Sequence, residues 1–230
     1  MERICKSDIL EQLIFYSHTV FPDNTIYKSE ELSSQNEEYK QISKLFKDKN
    51  KKIFQIQKIE RIHNPYLLTQ YAIKKKHLEK LSKQEKTEIP REKRLFHGTG
   101  KDEMESICKA NFDWRRKGTN VGHRFGQGVS FSANPYYATH YTDDKDEIKV
   151  IIVAKVLVGH TCIGNKMMII PGNCDTSTDK EGQIFIKYDD GTFYPEYRIY
   201  YTGFDPEKSC YCQQRTRTIS LGDFIPDLIK

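Results

Sequence analysis

The residues best suited to chemistry in this 230-residue chain lie in one short run, Leu95-Phe96-His97-Gly98-Thr99-Gly100. His97 follows two apolar residues on an expected strand and precedes Gly98 and Thr99. Lacking a Cβ, Gly98 lets a flat ligand approach the backbone and meet an amide N–H and a carbonyl together. A primary carboxamide, with two donors and one acceptor, matches that pair. An imidazole beside it suits a ribose hydroxyl. The motif is short, and His-Gly alone marks a strand end as readily as a site. About thirty residues on, Phe125-Gly126-Gln127-Gly128 leads into Val129–Ser132 and then a tyrosine-rich stretch. No βαβ unit surrounds these glycines, so they are not a G-x-G-x-x-G dinucleotide fingerprint. Arg124, just before them, suits a diphosphate or simply a solvated loop.

The other reactive side chains promise less. Cys5, Cys108, Cys162, Cys174, Cys210 and Cys212 follow no framework spacing, and the Cys210/Cys212 pair alone is too little for zinc. No metal is expected. None of the thiols has an evident His partner, so core or surface thiols are expected rather than nucleophiles. Free thiols in a reducing compartment place the chain in the cytosol or nucleus. His123 and His140 read as surface residues.

The elements that must position His97 come in two blocks. In the first, Tyr39, Ile42, Leu45 and Phe46 recur at helical spacing from Glu37 onward. Gln55–Arg61 alternates as a strand should. Asn64-Pro65 punctuates it, and a basic helix is expected over Tyr66–Leu81. A polar linker, Lys83–Lys93, follows. In the second block come β-like segments at RLFHGT, GVSFS, KVIIVAKVLVG, GQIFIKY and EYRIYYTGF, with a helix over Glu103–Ala110. The Asp189-Asp190-Gly191 turn is expected to join its two flanking strands as a hairpin. A helical region followed by several antiparallel-looking strands argues for an α+β fold.

The lysines between Lys40 and Lys93 supply much of the +5 net charge. On a helix they read as a solvated face, and nucleic-acid binding through this chain is not expected. No apolar run approaches the roughly 20 residues of a membrane span, and the N-terminus shows no secretory or presequence pattern.

Taken in order, LFHGT, ESICKANFD, FGQGVSFS, VAKVLVG and QIFIKYDDGTFYPEY resemble the catalytic domain of the poly(ADP-ribose) polymerase family. The similarity is greatest to its mono-ADP-ribosylating branch, which includes the TCDD-inducible member and the zinc-finger antiviral protein. The lead-in IQKIERIHNPYLLTQYAIKKKHLE matches that branch too, so the resemblance covers roughly residues 35–203. It implies an ADP-ribosyltransferase fold, two packed antiparallel sheets with flanking helices. The corresponding division is an N-terminal extension over 1–34, the catalytic-type domain over 35–205 and a tail over 206–230.

The resemblance also implies roles. The H-G-T histidine, His97, binds an NAD ribose hydroxyl, and Gly98 pairs with the nicotinamide carboxamide through its backbone. Thr99 completes that segment, and Tyr141 falls where a tyrosine stacks on the nicotinamide ring. Three positions depart from the pattern. The third catalytic position, acidic in polymerising members, is Ile184, a departure that the mono-transferring branch shares. Glu196 of YPEY lies in the following strand and is expected to be structural. The tyrosine of G-x-G-x-Tyr-Phe is Ser130. The serine that bonds the nicotinamide carbonyl is Ala138, with Thr139 as a neighbouring hydroxyl and Tyr136 or Tyr137 as replacement rings.

A carboxylate at position 184 would stabilise charge as nicotinamide leaves and activate a ribose hydroxyl for elongation. Isoleucine does neither. The function expected is therefore an NAD-dependent protein mono-ADP-ribosyltransferase with NAD as substrate and protein side chains as acceptors, an acceptor's own carboxylate assisting. The alternative is a silent pseudoenzyme that keeps the fold as an NAD, ADP-ribose or protein-binding module. An arginine-specific transferase is disfavoured because no Glu-x-Glu closes the strand region.

Overall fold

The computed structural model describes residues 25–47, 54–115, 124–142, 147–169, 172 and 174–203. Cys5, His123, Cys210, Cys212 and the tail over 206–230 lie outside the described residues. The first block forms β1 (Lys28–Glu31), α1 (Glu37–Lys47), β2 (Gln55–His63) and α2 (Pro65–Glu85). Next come β3 (Arg91–Gly98), α3 (Lys101–Ala110), β4 (Val129–Ser132), α4 (Pro135–Thr139) and β5 (Lys149–Val158). β6 (Thr161–Ile163), β7 (Thr176–Thr178), β8 (Ile184–Lys187) and β9 (Phe193–Thr202) complete the described order.

The apolar run of β5 is the axis of the fold. A strand apolar at successive positions must be covered on both faces. Val150, Ile152, Ala154 and Val156 enter one core with Met104, Ile107 and Cys108 of α3. Ile151 and Val153, on the other face, pack with Ile42 and Phe46 of α1. The sheet runs β1-β2-β9-β5-β3-β4-β8-β7-β6. Its pairs are antiparallel except β6 with β7.

The α+β class is as expected, and the two halves of the sheet are hydrogen-bonded into one. Among the described residues they meet at a single β3–β4 register pair, Phe96 with Ser132. The Asp189–Gly191 turn is not a hairpin, because β8 pairs with β4 and β7 while β9 pairs with β2 and β5. The turn carries the chain from one half of the sheet to the other. Turn residues specify a reversal of direction, not which strand the chain pairs with afterwards.

Helix starts are written locally. Asn64 before Pro65 and Asn134 before Pro135 each cap a helix, accepting from Leu67 N (3.1 Å) and Tyr136 N (3.1 Å). α2 runs four residues further than expected, to Glu85, and ends on Lys86 in the left-handed region. The linker thus contributes its start to α2 and its end, from Arg91, to β3. Part of the N-terminal extension is also stitched in, since β1 pairs with β2.

Asn64 does more than cap. It is 1% exposed and its amide donates to the carbonyls of Cys108 (2.9 Å) and Lys109 (3.2 Å), tying α2 to the end of α3. Asn64→Ala removes the cap and strands both carbonyls, so we expect a loss of about 2 kcal/mol in urea unfolding. Asn64→Asp keeps the acceptor and should fall between alanine and the native residue.

Cys162 and Cys174 are joined by a disulfide, with Cα atoms 5.9 Å apart. The expectation that all the thiols are free is corrected here, and the compartment argument built on it loses that support. Among the described residues Cys108 is the free cysteine, and burial pushes its thiol up to about 12. It is a core residue, not a nucleophile. No helix among the described residues is long and apolar enough to cross a membrane.

Candidate functional site

β3 continues two residues beyond its pairing with β4, which leaves His97 and Gly98 at the joint between the two halves of the sheet. A cleft of about 1450 Å³ opens there. His97, Gly98, Thr99, Ser130, Ala138 and Tyr141 all line it, so the structure brings together six of the seven expected site residues. Ile184 is the exception. It is 4% exposed, pairs with Ser132 across the β4–β8 ladder, and is not among the lining residues.

Two carboxylates among the described residues are candidates to take its place, Asp179 and Glu196. Asp179 is the acidic group bonded to Ile184, and its Oδ1 accepts from the backbone N–H groups of Gln183 (2.7 Å) and Ile184 (2.8 Å). Asp179 does not line the cleft. Glu196 is structural, as expected. Arg94 grips it with two bonds of 2.8 and 3.1 Å, and Lys155 approaches to 3.1 Å.

The protonation of His97 follows from its partners. Its Nδ1 lies 2.9 Å from the Ser130 carbonyl oxygen, which can only accept, so Nδ1 carries the proton. Phe112 meets the ring edge-on at 5.0 Å and Phe131 lies at 5.8 Å. Burial lowers the imidazole below its ordinary value, against the opposing pull of the Ser130 bond. His97 is therefore neutral at neutral pH, with Nε2 as an acceptor for a hydroxyl.

A lowered histidine value stabilises the fold above the ordinary value near 6.5 and loses that contribution as pH falls below it, when the unfolded chain takes up the proton first. The stability advantage of the native protein over His97→Gln should then shrink from about pH 7.5 to about pH 5 in urea unfolding. A constant difference would contradict the half-buried neutral imidazole.

Gly98 is glycine because α4 crosses it. A Cβ there would stand 1.8 Å from the Ala138 carbonyl oxygen and 3.1 Å from the Tyr141 Cβ. The same closeness places Tyr141 over the end of β3. Gly126 turns the chain into β4 with φ of 141°, and a Cβ on it would strike the Tyr188 hydroxyl at 1.8 Å. The next residue, Gln127, donates its N–H to the Met168 carbonyl at 2.8 Å, bracing that turn against the loop between β6 and β7.

The residues weighed as substitutes separate clearly. Thr139 is buried, and its hydroxyl donates to the Tyr136 carbonyl at 2.7 Å. Tyr136 packs into the α1-side core, 6.4 Å from Phe54, away from the cleft lining. Tyr137 does line the cleft. So does His140, which corrects its reading as a surface residue: it is half-buried, with Nδ1 2.9 Å from the Tyr136 carbonyl. Arg124 is exposed and is not a lining residue.

Sequence reasoning missed the outer wall. Tyr66, Ile73 and His77 of α2 line the cleft, as do Trp114, Arg115 and Asp190. Tyr66 and Ile73 are 66% and 61% exposed, an apolar pair seven residues apart that resembles a core stripe in sequence. Arg115 bonds Asp113 at 2.7 Å and approaches Asp190 at 3.9 Å. Among the described residues no group of three or more His, Cys, Asp or Glu could hold a metal.

Comparison with known proteins gives the family. A family profile described as "Poly(ADP-ribose) polymerase catalytic domain" matches residues 36–202. The chain is 31% identical over 199 residues to protein mono-ADP-ribosyltransferase PARP12 of Homo sapiens, covering 82% of this chain and 27% of that protein. It is 29% identical over 233 residues to protein mono-ADP-ribosyltransferase PARP11 of Mus musculus, covering 85% of this chain and 66% of that protein. Zinc finger CCCH-type antiviral protein 1 of Mus musculus is 36% identical over 114 residues, 50% of this chain and 11% of that protein. The chain thus spans about a quarter of the length of the PARP12 relative and just under two thirds of the PARP11 relative. The chain belongs to the poly(ADP-ribose) polymerase catalytic domain family.

Proposed function

We propose that the cleft binds NAD and that the chain is a protein mono-ADP-ribosyltransferase. The observation that carries this reading is the convergence at one end of the cleft of a neutral imidazole, a glycine backbone outrunning its ladder with β4, and the Tyr141 ring. The Gly98 N–H and carbonyl suit the nicotinamide carboxamide, and the Tyr141 ring suits its flat face. His97 Nε2 accepts from a ribose hydroxyl and so orients the sugar.

In the reaction the bond between ribose C1′ and the nicotinamide nitrogen breaks, and its electron pair stays with nicotinamide. A nucleophilic oxygen or nitrogen of the protein acceptor then bonds C1′, giving up its proton if it carries one. Ile184 has no carboxylate to activate a second ribose, and Asp179 is committed to backbone amides. Transfer therefore stops after one unit.

A second reading is favoured by one feature. Ala138 has no hydroxyl for the nicotinamide carbonyl, and the adjacent Thr139 hydroxyl is engaged by Tyr136. In that reading the cleft binds NAD or ADP-ribose without turnover. Nicotinamide release and NAD-dependent thermal stabilisation, measured side by side, separate the two. Both together support the transferase, and stabilisation without release supports the binding module. Absence of both effects would overturn the NAD site itself.

A further inference from the structure

Tyr137 and Tyr141 stand one helical turn apart, both line the cleft, and their hydroxyl oxygens are 2.9 Å apart. Their rings lie 5.5 Å apart at 52°. We propose that Tyr137 is a positioning residue: by holding the Tyr141 hydroxyl it fixes the plane of the ring offered to the nicotinamide end of NAD. This rests on the NAD reading above.

The geometry gives Tyr141 two attachments. Its base is set by the turn after α4, where its N–H donates to the Ala138 carbonyl at 3.1 Å and its Cβ faces the bare Cα of Gly98. Its tip is set by Tyr137. The second side-chain torsion of a tyrosine is soft, so fixing the base alone leaves the ring plane adjustable, and a hydrogen bond at the far end removes that freedom. Stacking rewards a ring already in the required plane, because ordering it on binding costs affinity.

Tyr137 also differs from Tyr136 and Tyr194. Tyr136 is packed in the core beside Phe54, and Tyr194 is buried with its hydroxyl donating to the Ile62 carbonyl at 2.8 Å. Tyr137 presents its ring to the cleft and bonds the one residue placed to stack on the ligand. With serine at position 130 and alanine at 138, a larger share of nicotinamide recognition falls on the Tyr141 plane.

The test compares the native protein with Tyr137→Phe, Tyr141→Phe and the double variant, using benzamide binding and NAD kinetics. Each single variant leaves the ring to be ordered on binding, which should raise the benzamide Kd and the NAD KM about fivefold. In Tyr137→Phe the kcat should change little, and thermal unfolding should show no more than the loss of one neutral hydrogen bond. Both single variants lose the same bond, so the double variant should be no worse than either. Unchanged Kd and KM in Tyr137→Phe, or additive losses in the double variant, would overturn the positioning role. Failure of the native protein to bind benzamide would instead remove the NAD reading, and this proposal with it. Benzamide binding without turnover leaves the Kd comparison as the deciding measurement.

Discussion

Gly98→Ala should lower stability by about 3 kcal/mol, the upper range for an overpacked site, and eliminate measurable binding of nicotinamide analogues. The added Cβ would lie 1.8 Å from the Ala138 carbonyl oxygen and 2.9 Å from its carbon. Both are backbone atoms of α4, so no flexible side chain can move aside. Relief requires shifting α4, and with it Ala138 and Tyr141, which line the same end of the cleft. The fold and the site are damaged by the same displacement. Gly172, where a Cβ would meet none of the described residues within 4 Å, is the natural control, and alanine there should be neutral. Urea unfolding and benzamide titration check both variants. A Gly98→Ala protein that folds and binds like the native one would show that α4 does not pack as described.

The second large effect is a gain. Ser130→Tyr with Ala138→Ser restores the ring and the hydroxyl that the family pattern places at these positions. Both residues line the cleft. The hydroxyl recovered at 138 is worth about 1 kcal/mol as a hydrogen bond and the ring at 130 about as much in stacking, so together they should raise kcat/KM for NAD roughly thirtyfold. Serine for alanine adds a single oxygen, although position 138 is only 3% exposed and the new hydroxyl must point into the cleft. The half-buried Ser130 keeps its backbone carbonyl on His97 whatever its side chain becomes, so the substitution leaves the imidazole tautomer in place. Nicotinamide release by the single and double variants measures the gain. No gain in any of them would mean that the want of a ring at 130 and a hydroxyl at 138 does not limit the native site.

Much of this architecture was legible from residue order, and the failures have physical causes. The run of β5 demanded burial on both faces and received it. Asn64-Pro65 announced α2 because it both caps and presets the first turn. β1 was missed because Lys-Ser-Glu-Glu is polar and sits at the sheet edge, where no apolar face is required. β6 and β7 have three residues each, too few to display a period. The Cys162–Cys174 pairing lay twelve residues apart with no framework to suggest it.

The site divides in the same way. His97 and Gly98 carry recognisable residue types, the family resemblance adds Tyr141, and the fold gathers all three at the cleft. The outer wall is different, because Tyr66 and Ile73 look like a helix's core stripe and only the fold reveals that they face a cleft. Ile184 shows the reverse. Its identity excludes carboxylate chemistry from sequence alone, while its burial beside Ser132 emerges only from the β4–β8 register.

The central claim is that this cleft transfers one ADP-ribose unit from NAD, and an intact-mass spectrum tests it most directly. The purified chain, with NAD and a mixture of acceptor proteins, should yield acceptor or self-modified species heavier by a single ADP-ribose per site, with matching nicotinamide release and none of either from His97→Ala. Ladders of repeated units on one site would contradict the single-transfer account. Unmodified masses without nicotinamide release would contradict the transferase itself.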